Sequence, residues 1–200
     1  MKVSRFLMIV SALLILGVFV EPLWNIRLEA PQYPIPLGLD IHINKFEDER
    51  PYDLKNINLL NHYVGMKAIP DKMKEFEYFP IGIIILSILG FLVAIFAKHP
   101  KWFLAWFLLI VVVGSAAMYD FYLWEYDFGH HLNPKAIMNF KNPDGTPMTF
   151  QPPVFGTKHI LNFTAHSYPR NGAFMLVAGI GLSLISYFVG RFEFSRKQKG

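Results

Sequence analysis

The sequence predicts an all-α integral membrane protein: a four-helix transmembrane bundle with a mixed extracytoplasmic cap formed by two long loops. Two observations support this fold class. Hydrophobic residues make up 53% of the 200 residues and charged residues only 17%, with a mean hydropathy of +0.31. The apolar residues also form four nearly uninterrupted runs, whereas an amphipathic helix of a soluble protein has them at intervals of three or four. A helix needs roughly 17–25 such residues to cross a bilayer core.

The four spans are placed at residues 6–24, 79–97, 102–124 and 172–190. The first follows Lys2 and Arg5, an arrangement shared by membrane anchors and secretory signal peptides. Bulky residues stand where a signal peptide needs small ones for cleavage, which favours an uncleaved anchor with Trp24 at the membrane interface. The second and third spans are separated by residues 98–101 alone, so they predict a tight antiparallel helical hairpin.

Basic residues indicate the orientation of these spans. The side that holds both termini and the 98–101 turn carries eight of the 19 lysines and arginines but only one of the 15 acids, Glu193. The positive-inside rule therefore places both termini in the cytoplasm and the loops of residues 25–78 and 125–171 outside. The basic residues flank membrane spans and match no nucleic-acid-binding motif, so the expected partner is the lipid bilayer and not a nucleic acid.

The two outer loops contain signals for local structure. Residues 31–38 read as an extended or polyproline-like chain with a turn, and residues 39–43 alternate as in a short strand. Asp53 is placed as the N-cap of a helix over residues 54–63 that ends at Gly65. In the second loop, residues 142–145 (Asn-Pro-Asp-Gly) predict a turn that closes a hairpin.

Histidine and methionine are concentrated in the outer loops. Six of the seven histidines fall there, and the chain has no cysteine. Histidine is the commonest metal ligand in proteins, and the methionine thioether favours copper(I). The outward histidines are His42, His62, His130, His131, His159 and His166.

Two pairs of residues are the candidates for a metal site. Asp127 and His130 lie on one helix face if the third span continues that far, and a carboxylate can ligate a metal or orient a ligating imidazole. His62 and Met66 are four residues apart and offer a soft nitrogen–sulfur pair suited to copper. Both pairs also have a plain structural interpretation, as polar groups at helix ends and as packing at the membrane interface. The sequence predicts no catalytic residues.

Two further acids stand near the outer end of the third span. Asp120 and Glu125 are expected to pair with lysine or arginine of the cap rather than to act as acid and base. The sequence contains no phosphate-binding loop, no nucleophile elbow and no zinc-ligand spacing. A membrane enzyme that uses Asp127 and His130 as acid and base is the weakest interpretation, because no nucleophile or cofactor motif accompanies them.

Residues 59–66, 126–130 and 150–153 through 161–163 resemble blocks in a group of small multi-span membrane accessory proteins. That group is encoded beside nitrous oxide reductase of the second clade, near copper-delivery lipoproteins and an ABC exporter. The resemblance covers nearly the whole chain. It implies a bacterial inner membrane, periplasmic loops and a part in the maturation of a copper enzyme in denitrification, without supplying ligands.

Two functions are therefore expected. The first is a non-enzymatic accessory protein that assists periplasmic copper handling or copper-enzyme maturation, with His62, Met66, Asp127 and His130 as the metal site. The second is a metal-free scaffold whose cap docks a partner membrane complex through its many aromatic residues, the residue type enriched in interface cores.

Overall fold

The computed structural model describes residues 1–138 and 140–199 and contains five helices and a five-stranded antiparallel sheet among them. The predicted all-α fold is therefore wrong, because the protein is mixed α and β. The helices are α1 (Lys2–Leu14), α2 (Asp53–Val64), α3 (Glu75–Phe96), α4 (Lys101–His130) and α5 (Asn171–Lys199), and a 3₁₀ segment, Ile15–Phe19, continues α1. The strands are β1 (Trp24–Ala30), β2 (Tyr33–Ile41), β3 (Phe46–Asp48), β4 (Gly156–Ile160) and β5 (Phe163–Pro169).

The sheet is assembled from both outer loops in the order β3-β2-β1-β5-β4. Its central strand, β1, pairs on one side with β2 and on the other with β5, so that Arg27 lies opposite both Gly38 and His166. Trp24, expected at the end of the first span, instead begins β1. Its indole N–H donates to the hydroxyl of Ser167 on β5 at 2.8 Å. The sheet thus joins the two loops into one layer.

Within the described ranges, four helices are long and apolar enough to cross a membrane: Lys2–Phe19, Glu75–Phe96, Lys101–His130 and Asn171–Gln198. They form a closed bundle in which α1 and α4 each pack against both α3 and α5. Fully buried Met8 of α1, Ile15 of the 3₁₀ segment, and Phe103 and Trp106 of α4 are central to its core.

Small residues lie at close contacts between the helices. The Ser11 hydroxyl donates to the Gly179 carbonyl at 2.6 Å, and the Ser87 hydroxyl donates to the Ala12 carbonyl at 2.9 Å. Small side chains allow helix backbones to approach each other, and each serine hydroxyl donates its hydrogen bond to a backbone carbonyl of the facing helix. Gly90 shares this role, since a methyl group there would meet Ala12 at 3.0 Å.

Helix α4 is longer than a bilayer requires. It has 30 residues, or about 45 Å at 1.5 Å per residue. Beyond the apolar stretch of residues 102–124, its last two turns pack against α2 and the inner face of the sheet through Trp124 and Phe128. We call the described residues of 24–70 and 124–169 the cap.

The helix predicted in the first loop is confirmed, but a different residue caps its N-terminus. Helix α2 ends at Gly65, which adopts a left-handed conformation with φ of 83°, as the C-terminal glycine signal indicates. At the other end, the Asp48 carboxylate accepts the Leu54 N–H at 2.7 Å, whereas Asp53 accepts the N–H of Gly38 at 2.9 Å. Asp53 therefore ties the helix to the sheet.

The turn predicted at residues 142–145 in the second loop is also present, since the Gly145 N–H donates to the Asn142 carbonyl at 2.9 Å.

Candidate functional site

The cap contains an apolar cavity of about 100 Å³ between the sheet, α2 and the end of α4. Aliphatic side chains of the strands and of α2 form most of its wall, and residues 150–153 cross it on the remaining side. The residues that line it and matter for its chemistry are Asn61, Met66, Trp124, Glu125, Phe128 and Phe150.

A glycine allows the chain to cross the end of α4 at this cavity. The Phe150 N–H donates to the Gly129 carbonyl at 2.9 Å. A methyl group on Gly129 would lie 2.4 Å from the backbone of Gln151, a distance that only glycine avoids. Gly129 therefore holds residues 150–153 over the buried side chain of Glu125 one turn earlier.

Glu125 is the most unusual residue in the cap. Its side chain has no exposed surface, and within the described part of the chain neither carboxyl oxygen has a hydrogen-bond partner. The expected ion pair with a basic residue is therefore wrong. The ammonium of Lys158, the cation that acts electrostatically on Glu125, donates to the Gln151 carbonyl at 3.0 Å instead. The neighbouring indole N–H of Trp124 is also buried without an acceptor among the described residues.

Burial changes the protonation of this group. Removal from water raises the pKa of Glu125 to about 8, against a smaller lowering by the Lys158 ammonium, because a low-dielectric environment disfavours the charged carboxylate. Glu125 is then mainly a neutral carboxylic acid at pH 7. In that form it offers one hydroxyl donor as well as acceptor oxygens.

The predicted ligand Asp127 has other partners. Its two carboxylate oxygens accept from the Lys67 ammonium at 2.6 Å and contact the His131 imidazole at 2.7 Å. The hydrogen bond from Lys67, reinforced by His131, keeps the pKa of Asp127 below its ordinary value. His130, predicted to share the site, stacks on the Tyr126 ring at 3.9 Å, with its Nδ1 3.1 Å from the Tyr126 carbonyl. The structure therefore brings Asp127 together with Lys67 and His131.

The second predicted pair is divided between surface and interior. His62 is exposed on α2, whereas Met66 packs into the apolar cluster around Val64 and Phe150. The described residues contain no group of three or more histidine, cysteine, aspartate or glutamate side chains placed to hold a metal ion. Copper binding by His62, Met66, Asp127 and His130 stays a prediction.

An exposed apolar surface lies beside the cavity on the outside of α2. Leu59 and Tyr63 lie one turn apart on the helix, and Ile137 and Met138 are adjacent in the second loop, all four exposed. The Met138 N–H donates to the Tyr63 carbonyl at 2.9 Å, which fixes the second loop along the end of α2. We call Leu59, Tyr63, Ile137 and Met138 the α2 patch.

We expect the stability of the protein to fall as pH rises from about 5 to about 8. Over this range the folded chain keeps the Glu125 proton, whereas the unfolded chain, with a carboxyl pKa near 4.5, has released it, so the free energy of unfolding decreases. Thermal unfolding followed by circular dichroism in detergent measures this slope. Glu125→Gln should flatten it, whereas Glu77→Gln, which changes an exposed acid, should leave it unchanged. A Glu125→Gln slope equal to that of the unaltered protein would contradict the assignment.

The copper prediction is tested directly on the detergent-purified protein. The sequence predicts that it binds about one equivalent of copper(I), measured by competition with a chromophoric chelator. Alanine at both His62 and His130 should abolish this binding, and alanine at both His159 and His166 is the control. Unchanged binding in the first double variant would show that the predicted ligands are wrong.

Comparison with known proteins finds no family model and no curated protein sequence that matches this chain. The resemblance to accessory proteins of nitrous oxide reductase therefore stays a prediction, and the site must be interpreted from its own geometry.

Proposed function

We propose that the chain is a non-enzymatic membrane accessory protein whose cap contacts a partner protein outside a bacterial inner membrane. Its four long helices would cross the bilayer, with both termini in the cytoplasm. Four helices of sufficient length and hydropathy and the basic residues that flank them support this arrangement. The first helix fits an uncleaved anchor, because fully buried Met8 and Ile15 place it in the core of the bundle.

The α2 patch is the observation that carries the docking proposal. Leu59, Tyr63, Ile137 and Met138 are exposed on the cap, where the proposed topology places them in water and not in lipid. A contiguous apolar surface on a water-facing domain marks an interaction site. Tyrosine and methionine are also enriched in the cores of protein interfaces.

The border of the patch indicates the charge of the partner. Lys55 lies one turn before Leu59 on α2, and Lys135 and Lys141 flank the loop residues, all three exposed. None of these three ammonium groups belongs to an ion pair among the described residues. We therefore propose a partner surface with an apolar centre and an acidic rim, which the lysines would orient during encounter.

The described contacts favour docking over a metal centre. Asp127 is held by Lys67 and His131, and His130 is stacked on Tyr126, so a copper site there would first have to displace these partners. Copper handling accordingly depends on the binding experiment above, whereas docking rests on a surface already formed.

The proposed orientation can be tested because the chain has no cysteine. In intact spheroplasts, Ile35→Cys should react with a membrane-impermeant maleimide, because this exposed position lies on the cap, outside the α2 patch, and the cap faces outward in the proposed topology. Lys197→Cys, near the C-terminal end of α5 on the proposed cytoplasmic side, should react only after the membrane is permeabilised. Labelling of Lys197→Cys in intact cells would overturn the proposed topology.

The docking surface is tested by photo-cross-linking in the native membrane. A photoreactive amino acid at Tyr63 should give one discrete adduct, and the adduct should fall at least about fivefold when Leu59→Ser and Ile137→Ser are added. Ile35→Ser, an exposed apolar residue on β2, is the matched control. Lys55→Glu with Lys135→Glu should weaken the adduct if the partner has an acidic rim. An adduct insensitive to the first pair would refute the patch.

A further inference from the structure

We propose that the cap cavity binds a small neutral molecule with an apolar body and one hydrogen-bond-accepting oxygen, such as a ketone, which Glu125 and Trp124 hold. This ligand site is separate from the α2 patch and does not depend on the docking proposal.

The cavity fits an apolar body of limited size. Its wall is almost entirely hydrocarbon and aromatic, from the inner faces of β1 and β2, from α2 and from α4. An engineered apolar cavity of about 150 Å³ in another protein binds benzene. A cavity of about 100 Å³ therefore suits a compact molecule of about four to six non-hydrogen atoms.

The polar groups in the wall determine the ligand's functional group. Buried polar groups in proteins nearly always have hydrogen-bond partners, but here the Glu125 carboxyl and the Trp124 indole N–H both lack one among the described residues. The indole is a donor only, and a protonated carboxyl adds a hydroxyl donor. Both residues line the cavity, so an oxygen atom on a bound ligand would supply the acceptor that these donors lack.

The surroundings of Glu125 favour a neutral ligand. The residues that face it from α2 and the sheet are not titratable, apart from Lys158 on β4, whose ammonium acts on it from a distance. The raised pKa keeps the proton on Glu125 at pH 7. A cationic ligand would have to displace that proton and lose its own hydration in an apolar space, which is costly even for a pair of opposite charges.

Water alone satisfies this site poorly. A buried water molecule typically makes about three hydrogen bonds. Beyond Glu125 and Trp124, the described residues contribute one more polar side chain to the wall, that of Asn61. Its amide nitrogen is directed at the Lys67 carbonyl, 3.4 Å away. A ligand whose carbon atoms fill the apolar volume and whose single oxygen meets the two donors matches the wall better.

The test measures binding of cyclopentanone to the full chain in lipid nanodiscs by saturation-transfer NMR, with empty nanodiscs to correct for partition into lipid. Cyclopentane is the matched probe without the oxygen, and cyclopentylamine is the cationic probe. We expect cyclopentanone to bind at least about tenfold more tightly than either. Its affinity should fall about tenfold between pH 7 and pH 9, because the protonated fraction of Glu125 falls by about that factor.

Two variants separate the role of Glu125 from a structural effect. Glu125→Gln keeps a donor and an acceptor of the same shape, so it should retain binding and lose the pH dependence. Glu125→Leu should lose binding of cyclopentanone while circular dichroism confirms the fold. The proposal would be overturned if cyclopentane and cyclopentanone bound equally, if the amine bound more tightly, or if Glu125→Leu left binding unaffected. It would also be overturned if no probe bound, because the cavity would then hold only water.

Discussion

The packing of the end of α4 under the sheet is the contact on which the rest of the molecule depends. Trp124 and Phe128 bury their rings against Leu39 of β2 and Ile57 of α2, so one continuous helix supports both the bundle and the cap. A sheet of this kind needs its inner face covered by another element. Here that element is the extension of a helix whose preceding residues are apolar enough for a bilayer. The cavity, the burial of Glu125 and the placement of Asp127 all follow from this extension.

The sequence predicts those elements of the fold whose determinants lie within one segment of the chain, and it misses those that depend on contacts between distant segments. The four long helices follow from composition within single segments, and α2 follows from Asp53 and Gly65 at its ends. The sheet depends on pairing between distant segments, as between Arg27 of β1 and His166 of β5. Such pairing leaves only weak alternation in either strand, which explains why the all-α prediction failed. The proline-containing start of β2 further obscured its strand character.

The candidate site shows the same contrast between residues that local sequence identifies and contacts that only the fold creates. The sequence singled out Asp127, and the structure places it in a polar cluster, but with Lys67 from the other loop, a partner that spacing cannot predict. The sequence predicts an ion pair for Glu125, because a charged residue near water normally has a charged partner. Its burial results from α2, the sheet and the crossing segment above Gly129 together. The spacing of Trp124 and Phe128 around it, typical of an apolar helix face, was the available local signal.

The histidines concentrated on one side of the chain find local partners in this fold. His42 lies 3.1 Å from Glu47, and His166 lies 3.2 Å from Glu29 on the neighbouring central strand. Each such pair is worth little at an exposed surface. Collectively they link strands and loops across the outer face of the cap, and they engage several of the imidazoles that first suggested metal chemistry.

The central position of β1 also determines the order of assembly. This strand follows the first long helix directly, but its neighbour β5 is made only just before the last one. During synthesis from the N-terminus, β1 therefore has one edge of unpaired backbone groups until β5 has been made. Such an edge can pair with strands of other chains. Only when the ribosome has passed β5 can the central ladder close. The sheet is therefore completed by a strand that lies more than 130 residues after its centre, directly before α5.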